Sequence, residues 1–239
     1  FLEKVIDRYG IDLCIANCEN LAGGFGITPP VAQEVLGLGV SLLTSGNHVW
    51  QRSEALSLLE EGGRLLRPAN YPPGTPGIGS TVLEVGGRCR VGVINVCGRV
   101  FMPPVDCPFR AVLREREAMD PAVKVVVVDF HAEATSEKVA MGWFLDGRVS
   151  AVLGTHTHVQ TCDERVLPGG TAYITDAGMT GPADSVIGMR KEIVIERFLT
   201  GLPKRFETAG GEGQFNGVVV EADKDNGRAQ SIVRIAFRG

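Results

Sequence analysis

Two stretches decide how this chain folds: Val123-Lys124-Val125-Val126-Val127-Val128-Asp129-Phe130-His131 and Ala151-Val152-Leu153-Gly154-Thr155-His156-Thr157-His158. Each opens on an apolar run, and the first is largely β-branched, the pattern of a strand buried on both faces of a parallel sheet. Each ends on histidine. Between them Ser136 opens a predicted helix in which Val139, Ala140, Trp143 and Phe144 share one face, and Gly147 stops it. Strand, helix and strand make a βαβ unit, and in open α/β sheets ligands gather beyond the carboxyl ends of the strands.

The same arrangement recurs upstream. Leu13-Cys14-Ile15-Ala16 runs into Asn17-Cys18-Glu19-Asn20, and Val40 to Thr44 runs into Ser45-Gly46-Asn47-His48. Helices are expected over residues 1–9 with Gly10 as the stop, after Thr28 with Pro29 in first position, over 51–61, and over about 110–118. Residues 80–97 read as a hairpin around Gly86-Gly87. Ala172 to Thr175 is a strand ahead of a glycine-rich loop, and residues 216–237 are two strands joined at Asp225-Asn226-Gly227. With no repeat, low-complexity segment or linker, one domain over residues 1–239 is expected. A crossover helix such as residues 1–9 normally follows a strand, so a strand is expected ahead of Phe1.

Composition narrows the function. The 239 residues suffice for a sizeable core. A net charge of −4 without a Lys/Arg block argues against tight sequence-independent binding of long nucleic acid, and no sequence-specific nucleic-acid partner is expected. No apolar run reaches membrane-spanning length, and Phe1-Leu2-Glu3-Lys4 lacks a signal-peptide layout. The six cysteines form no Cys-x-x-Cys pair and read as reduced, packed side chains of a cytoplasmic protein; Cys18, although beside Glu19, is read as a buried thiol.

All four histidines fall inside the strand-end motifs. Imidazole with carboxylate and amide oxygen is the donor set of Zn, Fe and Mn centres. Candidate ligands are therefore Glu19, able to bridge two cations, with Asn20, Asn47, His131, His156 and His158. His156 and His158 are two apart and would point the same way on an extended segment. His48, beside Asn47, is a candidate acid or base. Plainer readings accompany these: Asn20 and Asn47 as turn residues, Glu133 and Glu137 as carboxylates favoured in the first turn of a helix, and Arg67 and Arg99 as ion-pair partners rather than phosphate binders. Gly23 to Gly26 lacks the lysine of a phosphate loop. Asp176 either shapes a pocket or packs beneath it.

The Gly-Asn-His and Gly-Thr-His-Thr-His segments resemble the calcineurin-like metallophosphoesterases. The strings Ala16-Asn17-x-Glu19-Asn20-x-Ala22-Gly23-Gly24-Phe25-Gly26, Arg67-Pro68-Ala69-Asn70-Tyr71-Pro72, Gly98-Arg99-Val100-Phe101-Met102, the run from Phe130 to Lys138, and Gly178-Met179-Thr180-Gly181 resemble its YmdB-type branch over residues 10–220. That resemblance implies an α/β class fold, a four-layer α/β/β/α sandwich, and two metal ions, iron or manganese with zinc as a further candidate. It implies Glu19 as the bridging ligand, Asn20, Asn47, His131, His156 and His158 as the others, and His48 as proton donor. It implies hydrolysis of small cyclic nucleotides, 2′,3′-cyclic ones to the 3′-phosphate and 3′,5′-cyclic AMP as a further candidate, by attack of a metal-bridged hydroxide. The branch's first motif, a strand ending in Gly-Asp, is absent from the sequence. An amidohydrolase-type reading places His-x-His too late in the chain. A non-catalytic metal- or nucleotide-binding regulator is the alternative of a different class. A homo-oligomer is compatible with either.

Overall fold

The computed structural model describes residues 1–87 and 89–239. The first part of the chain runs α1 (Leu2–Tyr9), β1 (Ile15–Asn17), α2 (Pro29–Gly37), β2 (Leu42–Thr44) and α3 (Ala55–Glu61). β1 and β2 are parallel, with Asn17 opposite Thr44, so their carboxyl ends lie side by side. There follow β3 (Ser80–Val85), β4 (Cys89–Cys97), α4 (Pro108–Ala118), β5 (Val125–His131), α5 (Thr135–Leu145), β6 (Ala151–Thr155), β7 (Arg165–Val166) and β8 (Ala172–Ile174). These strands form a six-stranded sheet in the order β3-β4-β5-β6-β8-β7, parallel across β4, β5, β6 and β8. The chain ends with β9 (Gly181–Pro182), α6 (Lys191–Thr200), β10 (Gly213–Ala222) and β11 (Ala229–Arg238), whose strands form a separate antiparallel sheet.

The alternation along β5 defines the layers. Val126, Val128 and Phe130 pack with Ala111 and Val112 of α4 and Met141 and Leu145 of α5. Val125 and Val127 point the other way, toward Leu42 and Ile15 of the β1–β2 pair and toward Val220 and Ile232 of β10 and β11. Ala32, Leu43, Val49, Ala55 and Leu59 then bury the far side of β1–β2 beneath α2 and α3. Helices, sheet, sheet and helices give the expected four-layer α/β/β/α arrangement. Asp129 and His131 share the parity of Val125 and Val127, so their side chains enter the space between the two sheets at the carboxyl ends of the strands.

Two sequence expectations change. The buried face of α5 is Glu137, Lys138, Met141, Gly142 and Leu145, whereas Trp143 and Phe144 lie outside. Gly142 sits directly on the Tyr173 ring, where an added Cβ would collide. The helix thus packs too closely for the aromatic stripe to face inward. Trp143 and Phe144 are covered instead by Arg165 and by Phe109 and Arg148. The helix expected from residue 51 begins at Ala55, because Val49–Gln51 forms a 3₁₀ turn directly after His48. All six cysteines are free, and Cys18 is fully buried. Among the described residues no helix is long and apolar enough to cross a membrane.

Candidate active site

Four strand ends meet here. Glu19 and Asn20 follow β1, Asn47 and His48 follow β2, His131 closes β5, and His156 and His158 follow β6. Gly46 lets them converge: a Cβ at that position would overlap the Glu19 carboxylate and the His131 ring. Around His131 Nε2 stand Glu19 Oε1 at 3.0 Å, Asn47 Oδ1 at 3.1 Å and His156 Nδ1 at 2.9 Å. Glu19, His131 and His156 form the one group of three among the described residues whose donor atoms are grouped tightly enough to hold a metal ion, and Glu19 and His131 are buried.

Counting protons shows what this arrangement lacks. Thr155 Oγ1 donates its hydrogen to Asp129 Oδ1 (2.7 Å), so at 2.9 Å it accepts from His131 Nδ1–H. In the neutral ring this leaves a lone pair on Nε2, facing three more lone-pair atoms. Even a protonated His131 brings one proton to three acceptors. Unpaired polar groups do not cluster in a buried site without compensation. Donors held about 2.0–2.2 Å from a single cation stand roughly 3 Å apart when adjacent in an octahedron, which matches these separations. The residues therefore fit a divalent metal. Burial alone would raise the Glu19 carboxyl, but the His131 imidazole and the His48 backbone N–H hold it down to about 2. His156 is lowered to about 4 by burial and by His131.

A second pole, Asn20 with His158, lies beside Glu19. With the Asn20 amide turned so that its nitrogen donates to the carbonyls of Glu19 (3.3 Å) and Gly24 (3.0 Å), its oxygen faces His158 Nε2 at 3.0 Å. His158 Nδ1 contacts the Ile187 carbonyl at 3.0 Å, which accepts only, so Nδ1 holds the proton and Nε2 the lone pair. Asn20 and His158 are therefore hydrogen-bond partners: with Nε2 unprotonated, the amide N–H donates to it in the other amide orientation. His156 and His158 do not lie on an extended segment, contrary to expectation. Their φ angles are +103° and +67°, and they serve different poles.

His48 occupies the rim. Its backbone N–H donates to Glu19 Oε2 (3.2 Å), its ring packs edge-on against Phe25, and Gln51 Nε2 lies 2.7 Å from Nδ1. Burial lowers its pKa. With Nδ1 engaged by Gln51, Nε2 has no hydrogen-bond partner among the described residues.

A sequence model of the YmdB-like protein family matches residues 1–235. The chain belongs to the YmdB-like family. It is 46% identical over 238 residues to a Bacillus subtilis protein named 2′,3′-cyclic-nucleotide 2′-phosphodiesterase, covering 98% of this chain and 89% of that one. A Mycoplasma pneumoniae protein named a putative phosphatase/phosphodiesterase is 37% identical, over 93% of this chain and 80% of the other. The crystal structure of a hypothetical protein from Thermus thermophilus superposes with a TM-score of 0.93 at 46% identity, covering 99% and 91% of the two chains. That of a novel phosphatase from Mycoplasma pneumoniae gives 0.93 at 34% identity, covering 99% and 86%. Fold and relatives are those of phosphoester hydrolases.

One residue of this YmdB-like site, Asp129, is read from sequence only as part of a strand end, and others read there take different roles. Asp129 gathers Asn17 (3.1 Å), Thr44 and Thr155, tying the ends of β1, β2 and β6 to β5; burial raises its pKa against the pull of His131 and these donors. A carboxylate at the end of a valine run, in step with His131, is the signal that could have found it. Asp176 packs beneath the site: it accepts from Thr157 N (3.0 Å) and Oγ1 (2.8 Å), between the two histidines, and pairs with buried Lys138 at 2.8 Å. Glu137 is buried and accepts from the backbone N–H of Arg99 and Val100, so it anchors a loop rather than serving only the helix dipole. Glu133 lies before the helix, 3.1 Å from His156 Nε2. Arg67 donates to the carbonyls of Pro68 and Pro76 and makes no ion pair among the described residues.

Proposed function

We propose that this chain, as a single domain, is a di-metal phosphodiesterase that opens small 2′,3′-cyclic nucleotides to 3′-monophosphates. The observation that carries the reading is the convergence of Glu19, Asn47, His131 and His156 as lone-pair donors with too few protons to satisfy one another. Glu19 would be shared by both cations, Asn47, His131 and His156 would hold one of them with it, and Asn20 and His158 would hold the other. Iron and manganese suit this nitrogen–oxygen set, with zinc a further candidate. When bound, the cations supply the charge neutralisation and water activation that phosphoester hydrolysis needs.

The remaining chemistry belongs to the chain. Water adds to phosphorus and gives up a proton to solvent, the bond to the ribose O2′ breaks, and that oxygen takes the Nε2 proton of the imidazolium form of His48, which leaves the ring neutral. Gln51 suits this role because its amide oxygen can accept from Nδ1–H both in the protonated ring and after Nε2 has given up its proton. The substrate class follows from the name of the Bacillus subtilis relative; 3′,5′-cyclic AMP is a further candidate, and the mildly acidic chain favours small substrates over RNA.

The test is hydrolysis of 2′,3′-cyclic AMP by manganese-loaded protein, beside His48→Ala and a chelated sample. Loss of kcat by about 10²–10⁴ in His48→Ala with manganese binding retained, and loss in chelator, is expected. A folded, manganese-loaded protein without activity would favour the regulator instead.

A further inference from the structure

We infer that Glu133 is a positioning residue for this site, fixing the tautomer and aim of His156 and so the occupancy of the metal position that His156 shares with Glu19, Asn47 and His131. The inference rests on the di-metal reading above and goes beyond it in assigning a role to a residue outside the donor set. Glu133 Oε2 stands 3.1 Å from His156 Nε2, while the opposite nitrogen, Nδ1, stands 2.9 Å from His131 Nε2. An ionised carboxylate only accepts, so the proton of the neutral ring rests on Nε2 and the lone pair of Nδ1 points into the cluster.

The other tautomer would be harmful. A proton on His156 Nδ1 would meet the lone pair of His131 Nε2 at hydrogen-bond distance and close the cluster on itself, leaving two donors engaged with each other. Glu133 selects against that state. The neighbouring imidazoles have neutral partners on their outward nitrogens, the Thr155 hydroxyl for His131 and the Ile187 carbonyl for His158. His156 alone among the three has a carboxylate on its outward nitrogen, a partner that raises the basicity of a metal-binding imidazole. His156 also sits just past the end of β6 at a φ of +103°, outside the sheet ladder that fixes His131. The Glu133 side chain is 48% exposed, so its pairing adds little to the stability of the fold.

The experiment titrates manganese(II) into metal-free full-length protein by calorimetry, comparing wild type, Glu133→Ala, Glu133→Gln and His156→Ala, with melting of each metal-free sample alongside. Glu133→Ala should melt within about 2 °C of wild type while one of its two manganese affinities falls about 10–100-fold. Glu133→Gln, which still accepts from Nε2–H but carries no charge, should fall between, and His156→Ala should lose that ion. Wild-type binding that is unaltered in Glu133→Ala overturns this inference alone, as does a melting loss that accounts for the weaker binding. A wild-type chain that takes up no manganese overturns the di-metal reading itself, and this inference with it.

Discussion

Replacing Lys138 with methionine tests the support beneath the two histidines. The Lys138 and Asp176 side chains are each 1% exposed, and the ammonium is 2.8 Å from Asp176 Oδ2. Methionine keeps the length of the stem and its packing in α5 but removes the charge. Asp176 would retain Thr157 N and Oγ1 on Oδ2 and Gly178 N on Oδ1, so its lone pairs stay partly satisfied while its charge does not. Breaking one side of a buried pair costs about 3–5 kcal/mol. For a chain of this size that lowers the melting temperature by roughly 6–20 °C. A second effect follows, because Thr157 sits between two residues with positive φ, a conformation that costs on the order of 1–3 kcal/mol each and persists only when its surroundings impose it. A shifted Asp176 loosens that hold, and manganese affinity should fall along with stability. The double variant Lys138→Met/Asp176→Asn removes both charges and should recover most of the lost stability. Differential scanning calorimetry of the metal-free proteins reads the first effect and manganese titration the second. A Lys138→Met protein that melts within about 2 °C of wild type would refute the argument that this pair is a buried, unscreened clamp.

Gly46→Ala should fold yet fail to take up metal, because its Cβ overlaps the Glu19 carboxylate and the His131 ring; normal manganese uptake by the variant would contradict the geometry. Gly154→Ala is harsher, since the new Cβ meets the Thr175 carbonyl, which belongs to the backbone and cannot swing away; little soluble protein is expected on expression. Manganese at 100 times its dissociation constant should add about 2.7 kcal/mol per site to folding stability, a gain read as a rise in melting temperature that chelator reverses. Glu137→Ala strips the acceptor from the N–H groups of Arg99 and Val100 and should cost about 1–3 kcal/mol, measured by urea unfolding, with no change in manganese stoichiometry.

The parts of the site readable from sequence are those tied to local periodicity. Glu19, Asn47, His131 and His156 each follow an apolar run, and the rule that ligands lie beyond strand ends brings them together before any coordinates are known. Their individual aim was not readable. The spacing of His156 and His158 suggests a shared direction, yet both leave the strand with positive φ, and Thr157 between them bonds to Asp176, a residue 19 positions beyond it. The orientation of α5 was missed for a similar reason. Hydrophobicity favours Trp143 and Phe144 as its inner face, but close approach at Gly142 and the long reach of Lys138 decide the matter. Glu133 and Glu137 look interchangeable in sequence; one meets an imidazole and the other two loop amides, and only tertiary placement separates them.

The donors around His131 Nε2 come from residues 19 to 156, and the clamp that shapes them reaches residue 176. At a synthesis rate of about 5–20 residues per second, roughly 8–30 s separate the making of Glu19 from that of Asp176. Throughout that interval the growing chain carries its acidic and imidazole groups without the pocket that aligns them. The donors can therefore take up their observed alignment only after Asp176 has been made, when the strands that carry them already exist.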